Sequence, residues 1–217
     1  MTSIQYITHE NQRLSYLDGA ILALMGGCKW VQLRMKEASD EEFLVVGSQL
    51  RELCKTYSAT FILDDRVHLV KPLGADGVHL GKNDMPIDEA RRCLQSDKVI
   101  IGGTANTFDD IKRLHKQGAN YIGCGPFRYT ETKKKLAPTL GFQGYKSLVE
   151  KMKSEGITLP IFAIGGILYD DVKALLSIGI DGIAISGGIL NADNPIEKMK
   201  LLMKLPVGGI KIIDKFI

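Results

Sequence analysis

A regular alternation of short apolar runs with longer segments of helical periodicity constrains the fold of this chain more than any other feature. Eight runs of three to five residues are rich in strand-forming residues, and each is followed by a stretch with helical spacing of apolar residues. The runs are nearly continuous in apolar residues, which is typical of parallel strands covered on both faces. We predict strands at residues 4–8, 30–34, 60–63, 77–80, 98–101, 120–122, 160–164 and 181–185.

The segments between the runs carry start and stop signals of helices. Ser39 and Glu42 form a capping-box pattern, Pro86 is a favourable first residue for a helix, and Gly156 and Gly179 follow predicted helix ends. We predict helices at residues 11–25, 39–57, 86–94, 107–117, 142–154, 169–178 and 195–205, with a further short helix ending near residue 70.

Eight strands that are each followed by a helix predict a single-domain (β/α)8 TIM barrel of the α/β class. Gly-Gly pairs at residues 102–103, 165–166 and 187–188 mark three of the predicted strand-to-helix junctions. An open doubly wound sheet is the alternative, but it would more often show one dominant glycine-rich turn near the N-terminus. We assign residues 1–206 to the barrel and leave 207–217 as a C-terminal tail of unknown placement.

Charge and hydropathy argue against several function classes. The formal net charge of +3 is too small to indicate a nucleic acid or an anionic membrane as a partner. Polar residues interrupt the N-terminal segment, and no apolar run approaches transmembrane length. We therefore expect neither a signal peptide nor a membrane span.

Four cysteines are scattered along the chain without a C-x-x-C pair: Cys28, Cys54, Cys93 and Cys124. This spacing argues against a metal site or a disulfide framework and favours a reduced, cytoplasmic setting. Cys124 stands between two glycines, and the sequence shows no base that would activate it. We interpret Cys124 as a small packing residue rather than a nucleophile.

Polar residues at the end of the second predicted strand point to a ligand. Gln32, Arg34 and Lys36 alternate along the chain, so all three side chains point to the same side. Such residues in a strand that is otherwise buried need a reason, and a ligand at the carboxyl ends of the strands supplies one.

Carboxylates follow the third and fourth predicted strands, where Asp64, Asp65 and Asp84 stand. One or two carboxylates at adjacent strand ends suit an Mg2+ ion that is shared with substrate phosphates. The alternative is structural, with Asp65 paired to Arg66 or capping a helix and Asp84 serving as a turn residue before Pro86. His79, within the fourth strand, is interpreted as a hydrogen-bonded barrel histidine rather than a base.

Two further segments have the composition of phosphate-binding sites. Thr130, Thr132 and Lys133 follow a glycine- and proline-rich break after the sixth strand, and such a loop suits an anionic ligand, although a solvated basic loop is the alternative. Gly166 and Ser186 follow the seventh and eighth strands, which is the usual phosphate position in barrels. Two phosphorylated substrates, or one with two phosphate groups, would fill these sites.

Five motifs of this chain resemble thiamine-phosphate synthase and occur in that family's order over about residues 4–205. The resemblance implies a (β/α)8 barrel, commonly homodimeric, that joins 4-amino-2-methyl-5-pyrimidinylmethyl diphosphate to 4-methyl-5-(2-phosphoethyl)thiazole, or its carboxylated form, and releases pyrophosphate. The motifs are Gln32-Leu-Arg-Met-Lys36, Asp64-Asp65-Arg66, Gly77-Val-His-Leu-Gly81 with Asp84, Gly123-x-Gly-Pro with Thr130-Glu-Thr-Lys133, and Ile164-Gly-Gly-Ile167.

The resemblance also implies roles for the matching positions. Asp65 and Asp84 would bind Mg2+, and Lys133, Arg34 and Lys36 would act in catalysis by neutralising the leaving pyrophosphate. The implied contacts of the pyrimidine diphosphate are Gln32, Arg34, Lys36, Asp64, Thr104 and Lys133. The implied contacts of the thiazole phosphate are Thr130, Thr132, Gly166, Ile185 and Ser186.

Several positions depart from the family pattern. Asp64 stands where the family usually has Asn, which adds a negative charge near a diphosphate and would weaken its binding or recruit metal more strongly. Thr104 matches a family Ser, Asn106 stands where His is frequent, and Arg128 stands where an apolar or aromatic residue is usual. Met35 replaces a Glu between Arg34 and Lys36 and is expected to face away from the site.

Two other functions remain as alternatives. A thiazole tautomerase of the sister barrel family would need the phosphate site and a histidine near Asn106, but not the metal and lysine region. A non-catalytic barrel that binds a phosphorylated ligand as a sensor would need Mg2+ for binding alone. The presence of Asp65, Asp84 and Lys133 without that histidine favours the synthase.

Overall fold

The strands of this protein form a closed barrel of eight parallel strands in chain order. The computed structural model describes residues 4–129 and 138–205, and helices alternate with the strands along the chain. The predicted (β/α)8 barrel is therefore confirmed. The strands are β1 (Ile4–Ile7), β2 (Trp30–Leu33), β3 (Thr60–Asp64), β4 (Gly77–Leu80), β5 (Ile100–Ala105), β6 (Tyr121–Cys124), β7 (Ile161–Ile164) and β8 (Gly182–Ile185).

The helices pack outside the barrel, and none in the described ranges is long and apolar enough to cross a membrane. A 3-10 turn at Val67–Leu69 precedes the third helix. The helices are α1 (Tyr16–Met25), α2 (Asp40–Thr56), α3 (Val70–Leu73), α4 (Ile87–Leu94), α5 (Phe108–Lys116), α6 (Gly141–Ser154), α7 (Tyr169–Ile178), α8 (Gly187–Leu190) and α9 (Pro195–Met203).

Local capping explains where several helices begin. The predicted start of α1 at residue 11 was wrong, because Ser15 caps the helix and exchanges backbone and side-chain hydrogen bonds with Asp18. The predicted box of Ser39 and Glu42 is present at the start of α2. Such caps satisfy the free N–H groups of the first helical turn and so fix where each helix leaves its βα loop.

Side chains pointing into the barrel form an apolar cluster separate from the larger core between strands and helices. Trp30 packs edge to face against Tyr121 and Phe162, with ring centroids 4.9 and 5.1 Å apart. Buried polar side chains also belong to the strands: Gln5, Gln32, Asp64 and His79. Because buried polar groups need partners, their presence marks a part of the barrel that serves more than packing.

The Gly-Gly pair at residues 102–103 lies inside β5 and not at a strand-to-helix junction, which corrects the sequence prediction. A Cβ atom at Gly102 would lie 2.1 Å from the Tyr121 ring, and one at Gly103 would lie 2.4 Å from the Leu114 side chain. The two glycines therefore make room for large neighbours on both faces of the strand. The longer strand carries Thr104 to its C-terminal part.

The cysteines divide into three buried thiols and one exposed thiol. Burial raises the pKa of Cys28 to about 11 and that of Cys124 to about 12, which disfavours the reactive thiolate. Burial likewise raises the pKa of Cys54 to about 12. Cys93 is exposed on α4 and lines a groove of about 340 Å³ that also reaches Asp65.

Candidate active site

The three polar residues predicted at the end of β2 converge on Asp64. Gln32 Nε2 donates a hydrogen bond of 2.8 Å to Asp64 Oδ1. Lys36 Nζ lies 3.1 Å and Arg34 Nε 3.5 Å from Asp64 Oδ2. Asp64 and Gln32 are buried, and Gln32 Oε1 has no hydrogen-bond partner within the described ranges. An unpaired amide oxygen at this rim is a site for a ligand that donates hydrogen bonds.

Lys36 sits among three carboxylates. Besides Asp64, its ammonium contacts Asp65 in a close ion pair and lies 3.9 Å from Asp84 Oδ2. Partial burial alone would lower the pKa of Lys36, but the neighbouring carboxylates outweigh this and raise it. The cluster therefore holds a permanent positive charge between the carboxylates that the sequence suggested as metal ligands.

Asp65 and Asp84, the two predicted metal ligands, both face the Lys36 ammonium. Each also makes a contact of the structural kind that the sequence analysis gave as the alternative. Asp65 Oδ1 lies 3.3 Å from Arg66 Nη1, and Asp84 Oδ2 accepts a 2.6 Å hydrogen bond from the Gly81 N–H. Asp65 has a left-handed backbone with φ of +61°, which is uncommon outside glycine. Burial raises the pKa of the Asp65 carboxyl, and the neighbouring Lys36 opposes this rise.

The donor set fits a shared Mg2+ site better than an all-protein metal cage. Within residues 4–129 and 138–205, no three His, Cys, Asp or Glu side chains are arranged to hold a metal ion. Mg2+ usually binds proteins through one or two carboxylates and takes its other ligands from water and substrate phosphates. Asp65 and Asp84 supply such a pair, with a cation already between them.

Thr104 is joined to the barrel interior by hydrogen bonds. Its Oγ1 lies 2.9 Å from His79 Nε2, and His79 Nδ1 lies 3.0 Å from the Tyr121 hydroxyl. Gln5 Nε2 donates to the same hydroxyl at 3.2 Å. His79 thus has partners on both ring nitrogens, in line with its interpretation as a hydrogen-bonded barrel histidine.

Backbone atoms and one hydroxyl form the opposite part of the rim, after β7 and β8. Gly165 and Gly166 have left-handed backbones with φ of +94° and +67°. Ile185 ends β8, and the Oγ of Ser186 is buried without a hydrogen-bond partner in the described part of the chain. The short helix α8 follows at once, which the sequence did not predict because four residues are too few to show a helical period.

Arg128 ties the segment after β6 to this glycine turn. Its guanidinium donates to both carboxylate oxygens of Asp171 at 2.6 and 2.8 Å and to the Gly166 carbonyl at 2.7 Å. Asp171 also caps α7 through the Leu168 N–H. No sequence pattern predicts this contact, because the partners lie 43 residues apart.

The loop that carries the predicted thiazole contacts begins and ends at one place. Phe127 N donates to the Ile164 carbonyl and Leu140 N to the Pro126 carbonyl, each at 2.8 Å. Asn106, which stands where the related family often has His, donates to the Gly125 carbonyl. The three predicted residues of the loop itself lie outside the described residues: Thr130, Thr132 and Lys133.

Comparison with known sequences points to one family over most of the chain. Residues 4–189 match the family model described as thiamine monophosphate synthase. A thiamine-phosphate synthase of Bacteroides fragilis is 54% identical over 205 residues, which cover 94% of this chain and 100% of the relative. One of Flavobacterium johnsoniae is 46% identical over 202 residues, which cover 93% of each.

Solved structures agree with the sequence comparison. A thiamine phosphate pyrophosphorylase from Pyrococcus furiosus superimposes with a TM-score of 0.82 at 30% identity, covering 99% of this chain and 96% of that protein. A 3-hexulose-6-phosphate synthase superimposes with a TM-score of 0.69 at 17% identity and shares the fold.

Proposed function

This chain belongs to the thiamine monophosphate synthase family, and we propose that its rim joins the two substrates by combining a charged site for the diphosphate with a backbone-built site for the thiazole phosphate. The reaction is a transfer of the pyrimidinylmethyl group to the thiazole nitrogen with release of pyrophosphate. The observation that carries the proposal is the convergence of Gln32, Arg34 and Lys36 at the end of β2.

The charged site provides what departure of pyrophosphate requires. The leaving group gains negative charge as its bond to the methylene carbon breaks, so cations fixed in advance lower the barrier. Arg34 and Lys36 are held by Asp64 before any substrate arrives, which reduces the rearrangement needed during the reaction. Lys133 is proposed as a third cation on the same pyrophosphate.

The proposal includes Mg2+ held by Asp65 and Asp84 together with the diphosphate. When bound, the ion would neutralise oxygens of the leaving group. Support comes from the two carboxylates that converge on the Lys36 ammonium. The aminopyrimidine ring can delocalise the positive charge that develops at its methylene, so no protein nucleophile is needed. The buried Cys124, with its raised pKa, agrees with that mechanism.

The thiazole phosphate is proposed to bind between the turns after β7 and β8. Gly166, Ile185 and the Ser186 hydroxyl would contact it, and Thr130 and Thr132 are proposed as further contacts. A phosphate there would supply the acceptor that the buried Ser186 Oγ lacks within the described ranges. The thiazole nitrogen would then add to the methylene carbon after the bond to pyrophosphate has broken, so that the reaction is a dissociative substitution. Pyrimidine contacts are proposed for Gln32, Asp64 and Thr104.

The alternative functions have less support. A tautomerase of the sister family would rely on a histidine near position 106, whereas Asn106 is an amide whose nitrogen is bonded to the Gly125 carbonyl. A sensor would not need three cations around a leaving group. The relatives named above are synthases by name, and this chain aligns with them over nearly their full lengths.

The deciding experiment supplies the purified protein with pyrimidinylmethyl diphosphate, thiazole phosphate and Mg2+. We expect thiamine phosphate and pyrophosphate in equal amounts, no product with EDTA, and a severe loss in Lys133→Ala. Lys116→Ala, which removes an exposed lysine at the end of α5, is the matched control and should keep full activity. Absence of product while thiazole phosphate still binds would reject the synthase and direct the test to tautomerisation.

The proposal also includes a homodimer and a cytoplasmic location, both implied by the family resemblance. Light scattering of the purified protein would test the first, and fractionation of the source cells the second. A monomer of about 24 kDa with full activity would reject the dimer as a requirement.

A further inference from the structure

We propose that a chain of hydrogen bonds through the barrel interior holds the Thr104 hydroxyl as a donor to a ring nitrogen of the pyrimidine substrate. The chain runs from Gln5 through Tyr121 and His79 to Thr104. The inference rests on the proposed function, because it concerns how the pyrimidine is oriented in the same site.

The direction of the chain follows from which atoms can donate. Gln5 Nε2 can only donate, so the Tyr121 oxygen accepts from it. We assign the proton of the fully buried Tyr121 hydroxyl to His79 Nδ1, because a buried donor needs an acceptor. A neutral imidazole that accepts at Nδ1 carries its proton on Nε2, which donates to Thr104 Oγ1. The proton of Thr104 then remains for a further acceptor.

Packing leaves the two rings of the chain little freedom. Tyr121 is fully buried and meets Trp30 and Phe162 edge to face, at centroid distances of 4.9 and 5.7 Å. A Cβ at Gly102 would overlap the Tyr121 ring, and one at Gly123 would lie 2.9 Å from His79 Cε1. The glycines of β5 and β6 thus create the space in which both rings reach their hydrogen-bond partners.

A fixed donor at Thr104 selects one edge of the substrate. The ring nitrogens of an aminopyrimidine accept hydrogen bonds, whereas its amino group presents hydrogens. The Thr104 proton therefore pairs with a ring nitrogen and is mismatched with the amino group.

A double-mutant cycle on Tyr121→Phe and Thr104→Val tests the chain. Steady-state kinetics of both substrates are measured together with calorimetric binding of the pyrimidine diphosphate. Loss of one neutral hydrogen bond should lower kcat/KM for the pyrimidine diphosphate about fivefold in Tyr121→Phe and at least that much in Thr104→Val. The double variant should be no worse than Thr104→Val alone, and KM for the thiazole phosphate should not change. Thr104→Ser keeps the hydroxyl and should restore activity.

Tyr6→Phe is the matched control, because the Tyr6 hydroxyl is also buried, has no hydrogen-bond partner in the described ranges, and lies beside Gly19 of α1. It should leave all kinetic constants unchanged. The proposed hydrogen-bond chain would be rejected if the losses of kcat/KM in the two single variants multiply in the double variant, or if KM rises equally for both substrates. If the wild-type protein forms no product, the proposed function fails, and the same cycle measured on binding of the pyrimidine diphosphate still decides the chain.

Discussion

The two halves of the rim differ in the physical means by which we propose that they bind phosphate. After β2, β3 and β4, charged side chains meet, with Lys36 between the carboxylates of Asp64, Asp65 and Asp84. After β7 and β8, the proposed contacts are glycine backbone, one hydroxyl and the start of a short helix. In the proposed function, the first half would bind a group whose charge changes during the reaction, and the second would bind a phosphate that takes no part in bond breaking.

This difference determines which substitutions each half of the rim can tolerate. A charged cluster depends on the balance among its members, so a single neutral substitution alters the rest. A backbone-built site depends on shape, so an added methyl group is more damaging there than a change of charge nearby. Substitutions in the two halves should accordingly affect different substrates and different kinetic constants.

The largest effect is expected from Asp65→Asn in the charged half. Asn tolerates the left-handed backbone at this position, so the change removes the charge and preserves the turn. If Asp65 binds Mg2+ as proposed, loss of its carboxylate should lower kcat/KM for the pyrimidine diphosphate by at least about 100-fold and raise the Mg2+ concentration needed for half-maximal rate. Asp88→Asn on exposed α4 is the control. Unchanged Mg2+ dependence would remove Asp65 from the metal site.

Gly166→Ala is expected to weaken binding of the thiazole phosphate, with a smaller effect than that of Asp65→Asn on the diphosphate. The new Cβ would lie 2.4 Å from Arg128 Cγ, so the turn must shift. KM for the thiazole phosphate should rise about 30-fold, since small displacements at a binding site are costly. Gly156→Ala controls for the backbone, because Gly156 has nearly the same φ of +68° with nothing within 4 Å of its Cβ. Equal kinetics in both variants would contradict the backbone-built site.

Ser186→Ala should separate binding from stability. Loss of one hydrogen bond to a charged phosphate should raise KM for the thiazole phosphate about tenfold. The melting temperature should stay the same or rise, because the removed hydroxyl is buried without a partner in the described ranges. Ser177→Ala, whose hydroxyl bonds the Ala174 carbonyl on α7, should not affect binding. A fall in both affinity and stability would mean that Ser186 is structural.

The smallest effect is expected from Asp64→Asn, which restores the residue usual in the family. The new amide oxygen would still accept from Gln32, but the side chain would no longer hold Arg34 and Lys36 by charge. KM for the diphosphate should fall about threefold, because the carboxylate that positions these cations also competes with the substrate for their charge. A rise in KM together with a greater Mg2+ requirement would instead place Asp64 among the metal ligands.

The fold could be predicted from the sequence because all eight strands are short apolar runs bounded by turns and followed by helical periodicity. The end of β5 could not be predicted, because a Gly-Gly pair usually indicates a turn. In the structure, Gly102 lies within the strand and leaves space for the Tyr121 ring of the neighbouring strand. Contacts of that kind depend on tertiary packing, and no local pattern reports them.

The shared direction of the polar side chains after β2 was predictable, because these residues lie close together in sequence. Gln32, Arg34 and Lys36 share one strand end, so their alternation indicated a common direction. The contact of Arg128 with Asp171 was not predictable, because each residue has an ordinary place in its own segment. The sequence also suggested that Asp64 would disturb a diphosphate site, but it did not show that two cations already neutralise it.

The uneven burial of the cysteines makes this protein suitable for labelling without mutagenesis. A maleimide dye should react at neutral pH with Cys93, since Cys28, Cys54 and Cys124 are buried and burial raises the pKa of each. The dye would be attached in a groove that Asp65 also lines. If Mg2+ and the diphosphate bind at Asp65 as proposed, the fluorescence of the dye should report their arrival in real time in the unaltered sequence.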